Sequence, residues 1–348
     1  MSLNVYEQLA DAGIFGPDTS EQLLFENHLA RYFERAFKSL LKQPTSLESL
    51  GIRTDTGPMS DSTQHLMSKH YDERLEFFES FLDRHYLAYT MAYYGSTHKL
   101  ALESESTLEE AQYSKFDLIT KRAKISGNER ILNIGCGFGG LETFLLEKYP
   151  GLVISSITPS RVQANFMQNK IDDKSHPLSK GTIEILHGSF DEINLKNRSY
   201  DAVFTIGLFE HVTNISYVMS RIHDLLKPNG IAFHHFITSK VVIPKFTNSK
   251  LTLIGEYFPG GHIWPKNLLE INKYGLDLEN SWFINGMNYW CTLKEWHTRY
   301  WSNIPHLYRN KLNINEINHW NKYFSLCKAL FSPLKGEFYG NSQYLFRK

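Results

Sequence analysis

Ile131-Leu132-Asn133-Ile134-Gly135-Cys136-Gly137-Phe138-Gly139-Gly140 is the stretch whose reading decides the fold. Apolar residues run up to Gly135, glycines then recur, and Leu141 to Tyr149 reads as a helix. The pattern is a strand that stops in a tight turn and feeds a helix N-terminus. Backbone without Cβ atoms lets a bulky ligand lie directly against such a turn. Many nucleotide-type sites share a G-x-G-x-G-G pattern, so the flanking residues must narrow it. Val153 to Ile157 reads as a second strand. It ends in Thr158 and Ser160, where a dinucleotide site would place Asp or Glu.

Working outward, the span from 128 to 240 alternates apolar strands with helical segments, as a parallel sheet with crossover helices does. The expected strands are 130–134, 153–157, 182–186, 201–206 and 230–236. Before this span, Ser20 to Leu41 carries Leu23, Leu24, Leu29, Phe33, Phe37 and Leu40 near helical period. Lys42 to Ser60, with Pro44, Gly51 and Gly57, reads as a connection. Tyr71 to Leu82 and Thr107 to Ile125 read as further helices. After the span, residues 241 to 348 are rich in aromatics and end in a strand over Ser342 to Arg347. The expected domains are a helical N-terminal extension (1–64), a helical cap (65–127) and an α/β core (128–348). The core carries an inserted aromatic lid at about 241–335.

Composition bounds the function. The chain has 348 residues, 42% of them hydrophobic and 14% aromatic, enough for a large core and a roomy apolar pocket. Lys+Arg and Asp+Glu number 37 each, so no basic excess points to nucleic acid. The three cysteines, Cys136, Cys291 and Cys327, are too scattered for a disulfide framework or a zinc site, so no metal is expected. Their scarcity suits a reducing cytoplasm. There is no apolar run of about 18 residues. Met1-Ser-Leu-Asn lacks the profile of a signal peptide.

Further motifs follow in order: His70-Tyr71-Asp72; Tyr89-Thr90-Met91-Ala92-Tyr93-Tyr94; Leu108-Glu109-Glu110-Ala111-Gln112 with Lys115; Ile157-Thr158-Pro159-Ser160 with Gln163; Ile206-Gly207-Leu208-Phe209-Glu210-His211-Val212; His234-His235-Phe236-Ile237; Tyr257-Phe258-Pro259-Gly260-Gly261; and Tyr289 with Thr292, Leu293 and Trp296. In this order, over residues 65 to 300, the set resembles the cyclopropane fatty acid synthase family of S-adenosylmethionine-dependent methyltransferases. Trp282-Phe283-Ile284-Asn285-Gly286-Met287 is also similar to the matching segment of plant benzylisoquinoline alkaloid N-methyltransferases, relatives on the same fold.

The resemblance implies a Rossmann-like class I methyltransferase sheet with helices on both faces. It implies S-adenosylmethionine held by Gly135, Gly137, Gly139, Thr158 and Gln163, with Tyr89 and Thr90 closing over it. A hydroxyl and an amide suffice near a neutral ribose diol. The adenine-contact position, usually acidic in the synthases, is Ser189 here. Glu210, His211, His235 and Tyr289 match the catalytic positions. In the synthases the carboxylate, histidine, tyrosine and the backbone amide at Ile237 hold a bicarbonate ion that serves as base. A cysteine usual in that family is Met91 here, and a thioether offers no comparable donor. The relatives that methylate amines also lack that cysteine.

The expected acceptor is hydrophobic: an unsaturated acyl chain in lipid or, alternatively, a small amine. A non-catalytic cofactor-binding protein is the remaining reading. For an acyl acceptor, Arg31, Arg35, Lys38 and Lys42 with Leu29, Phe33, Phe37, Leu40 and Leu41 form a candidate peripheral membrane contact; packing of that helix on the core explains the pattern equally well. Residues 240–250 form a candidate cover over the acceptor.

Overall fold

The computed structural model describes residues 5–42, 46, 57–60, 75–243, 262–271, 274–309 and 312–348. The motifs at 70–72 and 257–261, and the candidate cover beyond Ile243, lie outside these residues.

Among the described residues eight strands form one sheet: β1 (Arg130–Ile134), β2 (Val153–Thr158), β3 (Thr182–His187), β4 (Tyr200–Ile206), β5 (Leu226–Ser239), β6 (Trp264–Pro265), β7 (Asp277–Asn285) and β8 (Tyr339–Arg347). The order is β3-β2-β1-β4-β5-β8-β7, with β6 paired to the end of β5. β3 through β5 pair in parallel, and β8 is antiparallel to both β5 and β7. The five strands expected between 130 and 236 all form, and so does the final one. β5 is longer than expected because Leu226 pairs with Tyr200 and Ser239 with Tyr339.

Side-chain alternation splits the sheet into two packed faces. Ile131, Ala202, Phe204, Phe233 and Leu345 face α5 (Leu108–Arg122) and α6 (Gly140–Lys148), meeting Phe116, Ile119, Phe144 and Leu145. Leu132, Val203, Ala232, Tyr344 and Phe346 face α8 (Ile215–Leu225), meeting Val218, Met219 and Ile222. The helices packed on the sheet are capped: Thr107 and Glu110 form a reciprocal capping box on α5, and the Ser160 hydroxyl accepts from the Gln163 amide at the start of α7 (Arg161–Asp172).

A third packed region joins the two ends of the chain. α1 (Val5–Asp11) and α2 (Ser20–Lys42) lie on α10 (Met287–Arg309) and α11 (Ile314–Phe331). Phe37 of α2 stacks on Phe338 at 4.0 Å, and Phe77 of α3 (Leu75–Glu79) lies 4.6 Å from Trp320. Glu26 meets the buried Lys328 ammonium at 2.6 Å, and the Ser325 hydroxyl donates to the same carboxylate at 2.9 Å. The stretch expected as an aromatic lid therefore contains an edge strand and two long helices, because its aromatics pack against α2 and α3. Phe33 and Phe37 are buried in that layer. They serve packing, and the apolar half of the expected membrane stripe is corrected accordingly. Among the described residues no helix is long and apolar enough to cross a membrane.

Candidate active site

The chain reverses direction across the sheet between β1 and β4, and ligands of open α/β sheets bind outside the strand C-termini at such a switch point. A cavity opens there. Gly135, Gly137 and Phe138 of the glycine turn line it, with Thr158, Gln163, Thr90, Tyr89, Ser189 and His211.

The turn is built by left-handed backbone. Gly135, Gly137 and Gly139 have φ of 79°, 59° and 79°. At Gly137 a Cβ would meet nothing within 4 Å, so this residue leaves open room where a side chain would project. Gly135 and Cys136 both donate their amides to the Ile157 carbonyl at 2.9 Å, which closes the turn onto β2. Behind it, the Asn133 amide and the Ser156 hydroxyl donate to the same oxygen of Glu142, at 2.8 and 2.7 Å. Glu142 is fully buried, and burial pushes its carboxyl up. The Asn133 side-chain oxygen is buried without a hydrogen-bond partner, and Asn133 is one of the residues that line the cavity. The open space at Gly137 and the unpaired side-chain oxygen of Asn133 fit a polar, bulky ligand such as S-adenosylmethionine.

The cover comes from residues 83–95. Asp83 accepts amides from His85, Tyr86 and Ala88 at 3.2, 2.5 and 2.8 Å and so shapes the loop that lines the cavity at Leu87 and Ala88. Thr90 accepts from the buried Lys115 ammonium at 2.8 Å. Burial lowers that lysine to about 7, opposed by the nearby Asp83. The rest of the segment is tied to α10. Ala92 donates to the Thr292 hydroxyl at 2.9 Å, and Tyr94 to the Asn288 side chain at 2.7 Å. Met91 is fully buried. Thr158 and Gln163 meet each other at 2.6 Å, so the two expected ribose partners form one unit on the cavity wall. Ser189 donates to Asp191, which places an acid two residues beyond the serine.

Glu210 lies just past the end of β4, and His235 lies within β5, where it pairs with Ile206, the last residue of β4. Glu210 is buried; one oxygen accepts the Ile237 amide at 2.8 Å and the other has no hydrogen-bond partner. Burial raises its carboxyl to about 7, against the lowering effect of that amide. The Glu210 turn is pinned by Trp264, whose indole donates to the Phe209 carbonyl at 2.9 Å, and by the His262 amide, which donates to the Glu210 carbonyl at 2.9 Å. His235 points to the α5 face and is fully buried. Its two ring nitrogens face the Asn341 and Gln343 side chains at 3.2 and 3.0 Å. Burial, then the charges of Lys115 and Arg122, hold it down to about 3, so it is a neutral imidazole. Arg122 reaches the other end of the Gln343 amide at 2.6 Å and stacks on Trp282 at 4.5 Å. His234 points the opposite way, to Thr205 at 2.8 Å and Phe209. Tyr289 stacks on Phe331 at 4.4 Å and meets the edge of Trp296, the same indole that packs 5.3 Å from Tyr89.

The cavity thus gathers Tyr89, Thr90, Gly135, Gly137, Thr158, Gln163 and His211. Glu210 joins directly to Ile237, and His235 sits in the adjoining sheet interior. Asn341 and Gln343, which hold His235, escaped the sequence reading. Their signal was two amides at alternate positions just ahead of Tyr-Leu-Phe in the last strand. Glu142 was equally hidden; its signal is a lone charge inside Gly-Leu-Glu-Thr-Phe-Leu-Leu.

A family model described as mycolic acid cyclopropane synthetase matches residues 59–337. The chain is 24% identical over 224 residues to (S)-tetrahydroprotoberberine N-methyltransferase of Eschscholzia californica, covering 61% of each chain. It is 29% identical over 212 residues to a probable fatty acid methyltransferase of Pseudomonas putida, covering 60% of this chain and 48% of that one. The chain therefore spans between about half and two thirds of these relatives. A solved structure of coclaurine N-methyltransferase bound to N-methylheliamine and SAH superposes with a TM-score of 0.80 at 20% identity, over 93% of this chain and 95% of that one.

Proposed function

Because this chain belongs to the mycolic acid cyclopropane synthetase family, a family of S-adenosylmethionine-dependent methyltransferases, we propose that it methylates an unsaturated acyl chain in a lipid. S-adenosylmethionine, bound in the cavity, supplies a methyl group made electrophilic by its sulfonium. Gly137 leaves it room, Asn133 offers an acceptor, Thr158 and Gln163 offer hydroxyl and amide to the ribose, and Tyr89 and Thr90 close the site. The single observation that carries the proposal is Glu210. It is a buried carboxyl poised to about 7, fixed by one oxygen and with the other unsatisfied.

A group so placed takes a proton from the acceptor at neutral pH and opposes developing positive charge. Neutral His235, held by Asn341 and Gln343, keeps a fixed orientation in the adjoining sheet interior. The Ile237 amide, a bicarbonate contact by resemblance, here donates to Glu210, so Glu210 and a bound anion would share that donor.

Met91 favours a second reading, a small hydrophobic amine, because the cysteine of the synthases is absent there. Turnover measured before and after stripping bicarbonate separates the two. Dependence on the ion supports the acyl acceptor. Indifference, with methylation of an added amine, transfers the assignment to the amine.

A further inference from the structure

His235, Asn341 and Gln343 are sealed inside the sheet, at most 2% exposed, and none of them lines the donor cavity. Ile206 of β4, His235 of β5, Gln343 of β8 and Trp282 of β7 form one row across the strands. Arg122, the last residue of α5, lies over Trp282 at 4.5 Å and donates to the Gln343 side-chain oxygen at 2.6 Å. The Gln343 nitrogen faces His235 Nδ1 at 3.0 Å, and the Asn341 nitrogen faces His235 Nε2 at 3.2 Å. Hydrogen-bond capacity decides where the imidazole proton sits. A neutral imidazole has one N–H and one bare nitrogen, and a guanidinium can only donate. Arg122 therefore holds the Gln343 oxygen on its own side and turns the Gln343 nitrogen to the ring. Gln343 donates to a bare Nδ1, and the proton is on Nε2. The reverse order would press the Gln343 amide hydrogens against the guanidinium. A half-turn of the Asn341 amide brings to the Nε2–H its side-chain oxygen, which among the described residues has no other partner.

The backbone of the same stretch carries the Glu210 turn. The Gly207 amide donates to the His235 carbonyl at 2.8 Å, and the Ile237 amide donates to the Glu210 carboxyl at 2.8 Å. In register, His235 pairs with Gln343 and Ile237 with Asn341. The turn thus hangs on β5 at two residues, and the side-chain bridge to β8 braces those two. From this geometry we infer that Arg122 is a positioning residue: through Gln343 it fixes His235 as the Nε2–H tautomer and so braces the stretch of β5 that holds Glu210. Both ring nitrogens are engaged inside the sheet, so an anion bound beside Glu210 would be held without the imidazole. The bearing on catalysis rests on the reading of Glu210 as the proton acceptor, whereas the proton position on His235 does not.

The test is heteronuclear NMR at about pH 8 on the full chain carrying isotope-labelled histidine and isoleucine, with His235→Asn and Ile237→Val identifying the two signals. The parent should show a bare Nδ1 and a protonated Nε2. Arg122→Met frees the Gln343 amide to turn, and Gln343→Glu leaves only acceptors facing the ring. Both should move the proton to Nδ1. Arg122→Lys keeps a donor for the Gln343 oxygen and should retain the parent pattern. In a pH titration the Ile237 amide signal of the parent should follow the protonation of Glu210. That displacement should fall at least about twofold in the first two variants, because a hydrogen bond weakens steeply with misalignment, and it should recover in Arg122→Lys. All three should bind S-adenosylhomocysteine like the parent, which shows that they fold; if Arg122→Met does not, Gln343→Glu decides. A proton on Nδ1 in the parent, or a bare Nδ1 in folded Gln343→Glu, overturns the tautomer. A proton moved to Nδ1 with the Ile237 displacement unchanged overturns the positioning role. Neither measurement uses a methyl acceptor, so a chain that meets both expectations yet leaves acyl lipid unmethylated supports this inference and rejects the acceptor.

Discussion

Replacing Glu210 by Gln should cost activity and restore stability at alkaline pH. Its carboxyl is raised by burial from 4.5 to about 7, so folding disfavours the ionised form. The stabilising effect of keeping it protonated is complete below the unfolded value and is lost as pH rises through the folded one. Integrating the linkage between about pH 5 and about pH 8 gives a loss of roughly 2–3 kcal/mol for the parent and none from this position in the variant. For a chain of this length that corresponds to a difference in Tm of about 3 °C. The Gln side chain can still accept the Ile237 amide, so cofactor binding should persist. Turnover should fall about a hundredfold or more, and the rise of kcat/KM with pH through about 7 should vanish. The assays are thermal unfolding of both proteins at the two pH values and a pH–rate profile. A gap in Tm that does not widen with pH would refute the buried-carboxyl argument. Turnover equal to the parent would refute the catalytic one.

Two further perturbations test the frame around that residue. Gly137→Ala should be folded but strained, since its φ of 59° costs a residue with a Cβ about 1–2 kcal/mol, and the methyl group would occupy the cradle. S-adenosylhomocysteine affinity by calorimetry should fall at least about tenfold; an unchanged Kd would place the ligand elsewhere. Lys328→Met should strand the Glu26 carboxylate in the helical layer and lower stability by about 3 kcal/mol, read by chemical denaturation, whereas a neutral outcome would mean that the pair contributes nothing net.

The parallel half of the sheet was legible because β1, β2 and β4 are short runs rich in Ile, Val, Leu and Phe, punctuated by Gly, Pro and Ser. β7 was not, because Asp277-Leu-Glu-Asn-Ser is a half-exposed edge whose polarity mimics a loop. α10 and α11 mix Trp, Tyr, His and Asn, so helical period was masked by aromatics that face other helices. At the site, the glycine turn, Thr158, Gln163 and Glu210 could be picked out by their order in the chain. The partners of His235 could not, since Asn341 and Gln343 lie over a hundred positions away and meet it only through strand pairing. The unusual proton affinity of Glu210 was equally invisible, because it depends on depth of burial and not on neighbours in sequence.

The placement of β8 has a consequence for biogenesis. This late stretch is wedged between β5 and β7 and bears both amides that orient the imidazole. A nascent polypeptide emerging from the ribosome can assemble the glycine turn and β1 to β5 early, yet must leave the histidine unsupported until residues 339–347 clear the exit tunnel. The cover, tied through Ala92 and Tyr94 to Thr292 and Asn288, likewise waits for α10, so the glycine turn can form well before either support is in place.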